Sequence, residues 1–401
     1  MDAPTAHLLY LLRAGALPAP LSSAAWQVVL QAAAAHALLP LLYHRLRAAD
    51  ARAAVPPDVW AAMRDAYLSN AARNTRLYHE LGRVLRALRD AGIPIIALKG
   101  AHLAALVYER IGARPMCDVD LLAPGGHLAR AERVLLELGY AALGDNARFA
   151  EESFHTAYSL PHKGLTLELH HHLEFPLSPF CIDLAGLWAR ARPAEIAGAP
   201  TLVLAPEDLL LHLCLHASAH HAYTMGLRPL CDIAETIRHY GAEMDWPALA
   251  ARASDWRASR CAYLTFHLAR KWLDAAIPES ACSALAPADL DPRTVAWAES
   301  RLFSPGTETF RGLGEMWAVS GYAGKLAFLC KAAFPSRQRM SQLYGVLPGS
   351  PRLYLCYPRR LAELLWRRLV ALWQRWRRDP NMLAQAAREA ETRALVQWLL
   401  E

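Results

Sequence analysis

Lysine is scarce in these 401 residues, and there is no Cys-x-x-Cys pair, no repeat, no low-complexity tract and no long apolar run. Each absence excludes something. A bilayer span needs about 20 consecutive apolar residues, and no stretch approaches that. Leu8, Leu9, Leu11 and Leu12 form too short a run, without a basic leader, to act as a signal peptide. The eight cysteines stand apart at 117, 181, 214, 231, 261, 282, 330 and 356. That spacing argues against structural zinc and against a disulfide framework, and for buried free thiols in a reducing, cytoplasmic compartment. The 43 basic and 37 acidic residues leave a formal charge of +6, too mild an excess for a nucleic-acid binder. What remains is a globular chain, 54% hydrophobic and 20% charged, long enough for one large or two modest domains.

The pattern along the chain divides it into four. Residues 1–92 read as an N-terminal helical region. Its clearest helix runs from near Asp58 to Asp90, with Leu77, Leu81, Val84, Leu85 and Leu88 at helical spacing and a stop at Ala91-Gly92. Residues 93–182 read as a small α/β core. Strands are expected at 93–98, 117–123, 154–160 and 165–171, with helices at about 101–110 and 127–139 and a Pro-His-Lys-Gly turn at 161–164. A helical domain follows at 183–346, with helices expected near 207–223, 228–240, 246–273 and 289–303. Basic helices at 359–378 and 381–400 make up the last division, 347–401. The fold class is therefore α+β, a small mixed sheet flanked by helices on both sides.

The residues with chemical meaning cluster in the α/β core. Asp118 and Asp120 are two apart on a strand, so both project from one face. Adjacent carboxylates repel, and a hard divalent cation shared with phosphate oxygens relieves that repulsion. A lone Asp-x-Asp on a strand is commonly a solvated edge, but Glu168 and His170 share the face of another strand, with Leu167 and Leu169 on the other. If the strands are neighbours, Glu168 joins the pair as a metal ligand or as the base for an attacking hydroxyl. Leu98-Lys99-Gly100 forms a strand, a glycine turn and a helix start, where an anion can be received. Arg114 offers a second phosphate contact, its bland alternative being an exposed loop arginine.

These segments resemble the uncharacterised bacterial nucleotidyltransferase family of the polymerase-beta-like superfamily. The likeness lies in 97–101 (Ala-Leu-Lys-Gly-Ala), 113–123 (Ala-Arg-Pro-Met-Cys-Asp-Val-Asp-Leu-Leu-Ala) and 138–140 (Leu-Gly-Tyr). It continues in Glu168-Leu169-His170, where the family often has Asp and a following Trp, and in 205–216 and 230–233. The resemblance implies transfer of a nucleoside monophosphate from a nucleoside triphosphate to an acceptor. Asp118, Asp120 and Glu168 are then the carboxylates for Mg²⁺, two ions being expected. Lys99, Gly100, Arg114, His170 and His216 are then nucleotide-binding. Lys99-Gly100 stands where the superfamily usually has Gly-Ser, which bears on nucleotide choice. Family members often sit near genes for surface polysaccharides or peptide natural products, so the implied acceptor is a small biosynthetic molecule, peptide or saccharide. Two other classes stay open: a catalytically idle binding module in a biosynthetic complex, and another transferase acting on a phosphorylated acceptor.

His212, His216 and His220 recur every fourth residue on one expected helix. They line a substrate cleft, bind a transition metal or simply pack, and packing has the largest weight. The active site is expected between this helix and the sheet edge that bears the acids. His170, His171 and His172 alternate on a strand and do not chelate together. Arg228 and Asp232, one turn apart, read as an ion pair or a domain clamp rather than as catalysts. In 359–378 arginines and tryptophans face leucines, as in helices that touch a membrane surface or an anionic partner. Most such helices pack their leucines and expose their arginines.

Overall fold

The computed structural model describes residues 3–14, 20–108, 110–143, 154–160, 165–175, 178–304, 350–363 and 391–400, and isolated positions between 334 and 346. The turn at 161–164 and most of the basic tract, 364–378, lie outside them.

Seven strands form one mixed sheet: β1 (Ile96–Ala97), β2 (Val119–Leu122), β3 (Ala141–Ala142), β4 (His155–Leu160), β5 (Leu165–His170), β6 (Arg192–Ile196) and β7 (Ala199–Val203). Their order is β3-β4-β5-β2-β1-β7-β6. The sheet and its surrounding helices bear out the α+β class. The β6–β7 hairpin was not expected from the sequence. It closes on Ala197 and Gly198, both at positive φ (56° and 66°), as a two-residue turn between antiparallel strands requires. Because β2 pairs with both β1 and β5, and β5 with both β2 and β4, the strands that carry the acids lie inside the sheet, not at the expected edge.

Two apolar clusters cover the two faces. Val119, Leu121, Leu167 and Leu169 enter one, with Leu77, Leu81, Val84, Leu85 and Leu88. Ile96 and Leu122 enter the other, with the N-terminal helices and the helical half beyond residue 204. The helix Pro57–Asp90, about 50 Å long by its residue count, runs through both, placing Val59 and Met63 in the second cluster and Leu77 onward in the first. Between these ends Asn70 and Asn74 donate to the carbonyls of Gly112 and Arg114, each at 2.8 Å. The long helix therefore grips the loop that leads into β2. Gly112 permits this closeness, since an added Cβ would sit 2.7 Å from the Tyr67 ring.

The helix Arg228–Tyr240 runs as expected. The expected 246–273 helix is two, Trp246–Asp255 and Ser259–Leu273. Arg257 turns to φ 56° between them, and the Ala258 N–H closes on the Ala253 carbonyl at 2.7 Å, a helix-ending motif with no glycine to announce it.

Two buried histidines dock other elements onto Arg228–Tyr240. His36 Nδ1 accepts from the Leu227 N–H at 3.2 Å, and His102 Nε2 meets the Tyr240 hydroxyl at 3.0 Å. Burial lowers their pKa values from 6.5 to about 4 and about 3. The unfolded chain takes up both protons near pH 6.5 while the fold refuses them, so stability is full above that pH and falls as it drops. By pH 5 the loss is about 2 kcal/mol per histidine. Urea midpoints at pH 7.5 and 5 measure it, and His36→Asn, which keeps an acceptor for Leu227, should show the smaller fall.

Candidate metal and nucleotide site

The site begins with register. β2 runs parallel to β5 with Val119 beside Leu167, Asp120 beside Glu168, Leu121 beside Leu169 and Leu122 beside His170. Side chains alternate, so the leucines and Val119 seat both strands in the core below. Asp120, Glu168 and His170 are left side by side on the face turned towards the helical half. Asp118 stands just before β2, half-buried.

Asp120 is buried, and its Oδ1 receives Lys99 Nζ at 3.3 Å and lies 3.0 Å from His170 Nε2. Burial alone would raise its pKa, but the Lys99 ammonium and the His170 hydrogen bond outweigh burial and hold it well below the ordinary carboxylate range. Asp118 goes the other way. Burial, then the charges of Asp120 and Glu168, raise it from 3.8 to about 6. The same repulsion sets Asp118 within electrostatic reach of both carboxylates. His170 Nε2 also lies 3.5 Å from Glu168 Oε2.

β4 adds a residue the sequence reading did not single out. Antiparallel pairing sets His155 opposite His170, and its Nε2 lies 3.7 Å from Glu168 Oε2. Burial lowers the His155 pKa to about 4, so the imidazole is neutral at physiological pH. The strand at 154–160 was readable; the register that brings His155 to Glu168 was not.

Lys99 opens the short helix Lys99–His102 at φ 34°, a conformation that costs a non-glycine residue about 1–3 kcal/mol and marks functional sites. The helix continues as a π turn over Leu103–Val107. A Cβ on Gly100 would meet Arg114 Nη1 at 2.9 Å and Met116 Cγ at 3.3 Å, so the glycine allows a close approach here too.

Arg114 is not presented as a phosphate contact. Its Nε and Nη2 donate to Asp232 Oδ1 and Oδ2, each at 2.8 Å, and Tyr108 donates to the same carboxylate at 2.8 Å. Asp232 thus pairs with Arg114 and not with Arg228, which answers to the clamp of the two readings and not to the one-turn ion pair. This buried clamp ties the loop before Asp118 to the helical half, opposite the grip of Asn70 and Asn74.

The histidine stripe is bent. The helix Pro206–Leu215 gives way to a π turn over His216–His220, and the extra residue per turn rotates the stripe. His220 Nε2 pairs with Glu174 Oε1 at 2.6 Å. His212 is buried, and neither ring nitrogen has a partner among the described residues. Burial and then the nearby Lys99 charge hold both His212 and the half-buried His216 well below 6.5. The stripe therefore comes within electrostatic reach of Lys99, but its three imidazoles do not gather on one point.

Among the described residues the donor atoms that all lie within 4.8 Å of one another are those of His155, Glu168 and His170, and Asp118 and Asp120 stand outside that group. Three carboxylates face one ammonium, so negative charge is left over, and its cost is visible in the raised Asp118.

The family profile described as "Uncharacterised nucleotidyltransferase" matches residues 22–274. No curated protein matches the sequence. Two solved structures overlap part of the chain. One is the crystal structure of ANT(2″)-Ia in complex with adenylyl-2″-tobramycin, 14% identical, covering 45% of this chain and 97% of its own, with a TM-score of 0.34. The other is the solution structure of the antibiotic-resistance factor ANT(2″)-Ia, 16% identical, covering 49% and 97%, also with a TM-score of 0.34.

Proposed function

The chain belongs to the uncharacterised nucleotidyltransferase family, and we propose that Asp118, Asp120 and Glu168 are its catalytic carboxylates, serving transfer of a nucleoside monophosphate from a nucleoside triphosphate to a hydroxyl of a small biosynthetic acceptor. The observation that carries the reading is the register pairing of Asp120 with Glu168 on parallel strands, with Asp118 close enough to be raised by both.

Mg²⁺, held by these three carboxylates, would supply charge neutralisation and polarisation of the triphosphate. Lys99 places positive charge where the pyrophosphate oxygens depart. Glu168, whose side chain is 24% exposed, takes the proton of the acceptor hydroxyl as that oxygen attacks the α-phosphorus in line. His170 orients Asp120 through its Nε2. His212 and His216 line the facing wall, and Gly100 makes room for Arg114 and Met116. Arg114 acts through its clamp as a positioning residue. No helix among the described residues is long and apolar enough to cross a membrane. The seven described cysteines are free, which supports a reducing compartment, the cytoplasm.

Phosphorus NMR tests the reaction. The four common nucleoside triphosphates are incubated with the protein, Mg²⁺ and a panel of hydroxyl-bearing and phosphorylated acceptors. A nucleoside phosphodiester or phosphoanhydride resonance with equimolar pyrophosphate is expected. Bound nucleotide without pyrophosphate across the panel would instead favour a binding module.

A further inference from the structure

We propose that His155, Glu168 and His170 form a site for a divalent transition ion of the zinc class, with a fourth position left open. Glu168 belongs to both sites, so the inference deepens the nucleotidyl-transfer reading and rests on it.

The argument starts from donor atoms. His155 Nε2, a Glu168 carboxylate oxygen and His170 Nε2 all lie within 4.8 Å of one another. The two imidazole nitrogens stand 3.7 and 3.5 Å from the same oxygen, Glu168 Oε2. Ligands of one tetrahedral zinc, bonded at about 2.0–2.2 Å, stand roughly 3.3–3.6 Å apart, so only small side-chain shifts bring all three onto one ion. Asp120 stands outside that group, so the fourth position is open, as in catalytic zinc sites.

Position on the sheet makes the arrangement rigid. His155 and His170 are register partners on antiparallel strands, and Glu168 lies two residues before His170 on the same face. The two imidazole rings lie 4.9 Å apart at a 32° tilt, and Phe154 packs against both at 4.7 and 5.4 Å. Strand-borne ligands backed by an aromatic ring are positioned before any ion arrives.

Ligand chemistry then selects the ion. Mg²⁺ takes oxygen ligands, whereas imidazole suits zinc and its neighbours. Two imidazoles and one carboxylate are a poor magnesium site and a good zinc-class site. An ion held here engages Glu168, so its occupancy governs whether that carboxylate is available to an acceptor hydroxyl.

The test uses the full-length protein stripped of metal. It is titrated with ZnCl₂ against a chromogenic chelator and, separately, with Co²⁺ while visible absorption is followed. One equivalent of Zn²⁺ is expected, with tetrahedral Co²⁺ bands and a raised melting midpoint with Zn²⁺. His155→Gln, at a quarter-exposed position where folding is least at risk, should weaken Zn²⁺ by roughly tenfold or more. His170→Gln should do the same, with circular dichroism confirming the fold. Asp118→Asn should keep Zn²⁺ binding. Equal Zn²⁺ affinity in wild type, His155→Gln and His170→Gln, or no stoichiometric binding in wild type, overturns the proposal. If Zn²⁺ binds as expected but nucleotide binding ignores Asp118, the nucleotidyl-transfer reading fails while the zinc site stands.

Discussion

Asp118→Asn is expected to give a protein that is more stable and inactive. In the folded chain burial and two neighbouring carboxylates raise Asp118 from 3.8 to about 6. An acid with a raised pKa costs the fold nothing below its unfolded value. The cost grows as pH climbs from 3.8 towards 6 and is fully present above that. Asn carries no charge to repel, so the variant should gain about 1–2 kcal/mol at pH 8, a figure reduced for the half-exposed side chain. The gain should vanish near pH 4. Turnover should fall about a thousandfold or more, about 4 kcal/mol of transition-state stabilisation. A site whose residues oppose the fold and serve the reaction has this signature. Urea midpoints at pH 8 and 4, beside pyrophosphate release, measure both halves. A variant less stable at both pH values would mean that Asp118 holds the structure together.

Removing one half of the Arg114–Asp232 clamp should have the largest effect on stability. Both groups are buried, and Asp232 neutralises the guanidinium through two hydrogen bonds while also accepting from Tyr108. Asp232→Ala leaves a buried cation without its partner, a loss of about 3–5 kcal/mol, or a melting midpoint lower by roughly 5–10 °C. Arg114→Met with Asp232→Leu removes both charges together, so the double variant should recover a large part of that loss. If Arg114 serves only as a clamp, the double variant should also keep nucleotide affinity within a few fold. A large loss of nucleotide affinity in a double variant of near wild-type stability would return Arg114 to the phosphates.

Much of the site was readable because it depends on spacing of two along strands. Asp118-Val119-Asp120 and Glu168-Leu169-His170 put acids on one face and apolar residues on the other, and the leucines seated the strands as that pattern requires. The helices Pro57–Asp90 and Arg228–Tyr240 were equally legible, since a long periodic apolar face leaves little choice. What stayed hidden depends on partners far along the chain. Pro193 and Pro200 disguise the β6–β7 hairpin, and proline suits an edge strand such as β6 but rarely advertises one. Ala197-Gly198 is a weak turn signal beside Asn-Gly. The Arg114 and Asp232 partnership spans 118 positions, and nothing local to either residue announces it. His155 drew no notice because the register between β4 and β5 is a property of the pair.

The most direct test is a calorimetric titration of a non-hydrolysable nucleoside triphosphate into the protein with Mg²⁺, repeated with a chelator and with Asp118→Asn/Asp120→Asn. Stoichiometric binding is expected only in wild type with the metal ion present. Equal binding in all three would contradict the assignment of these carboxylates to the metal and the triphosphate.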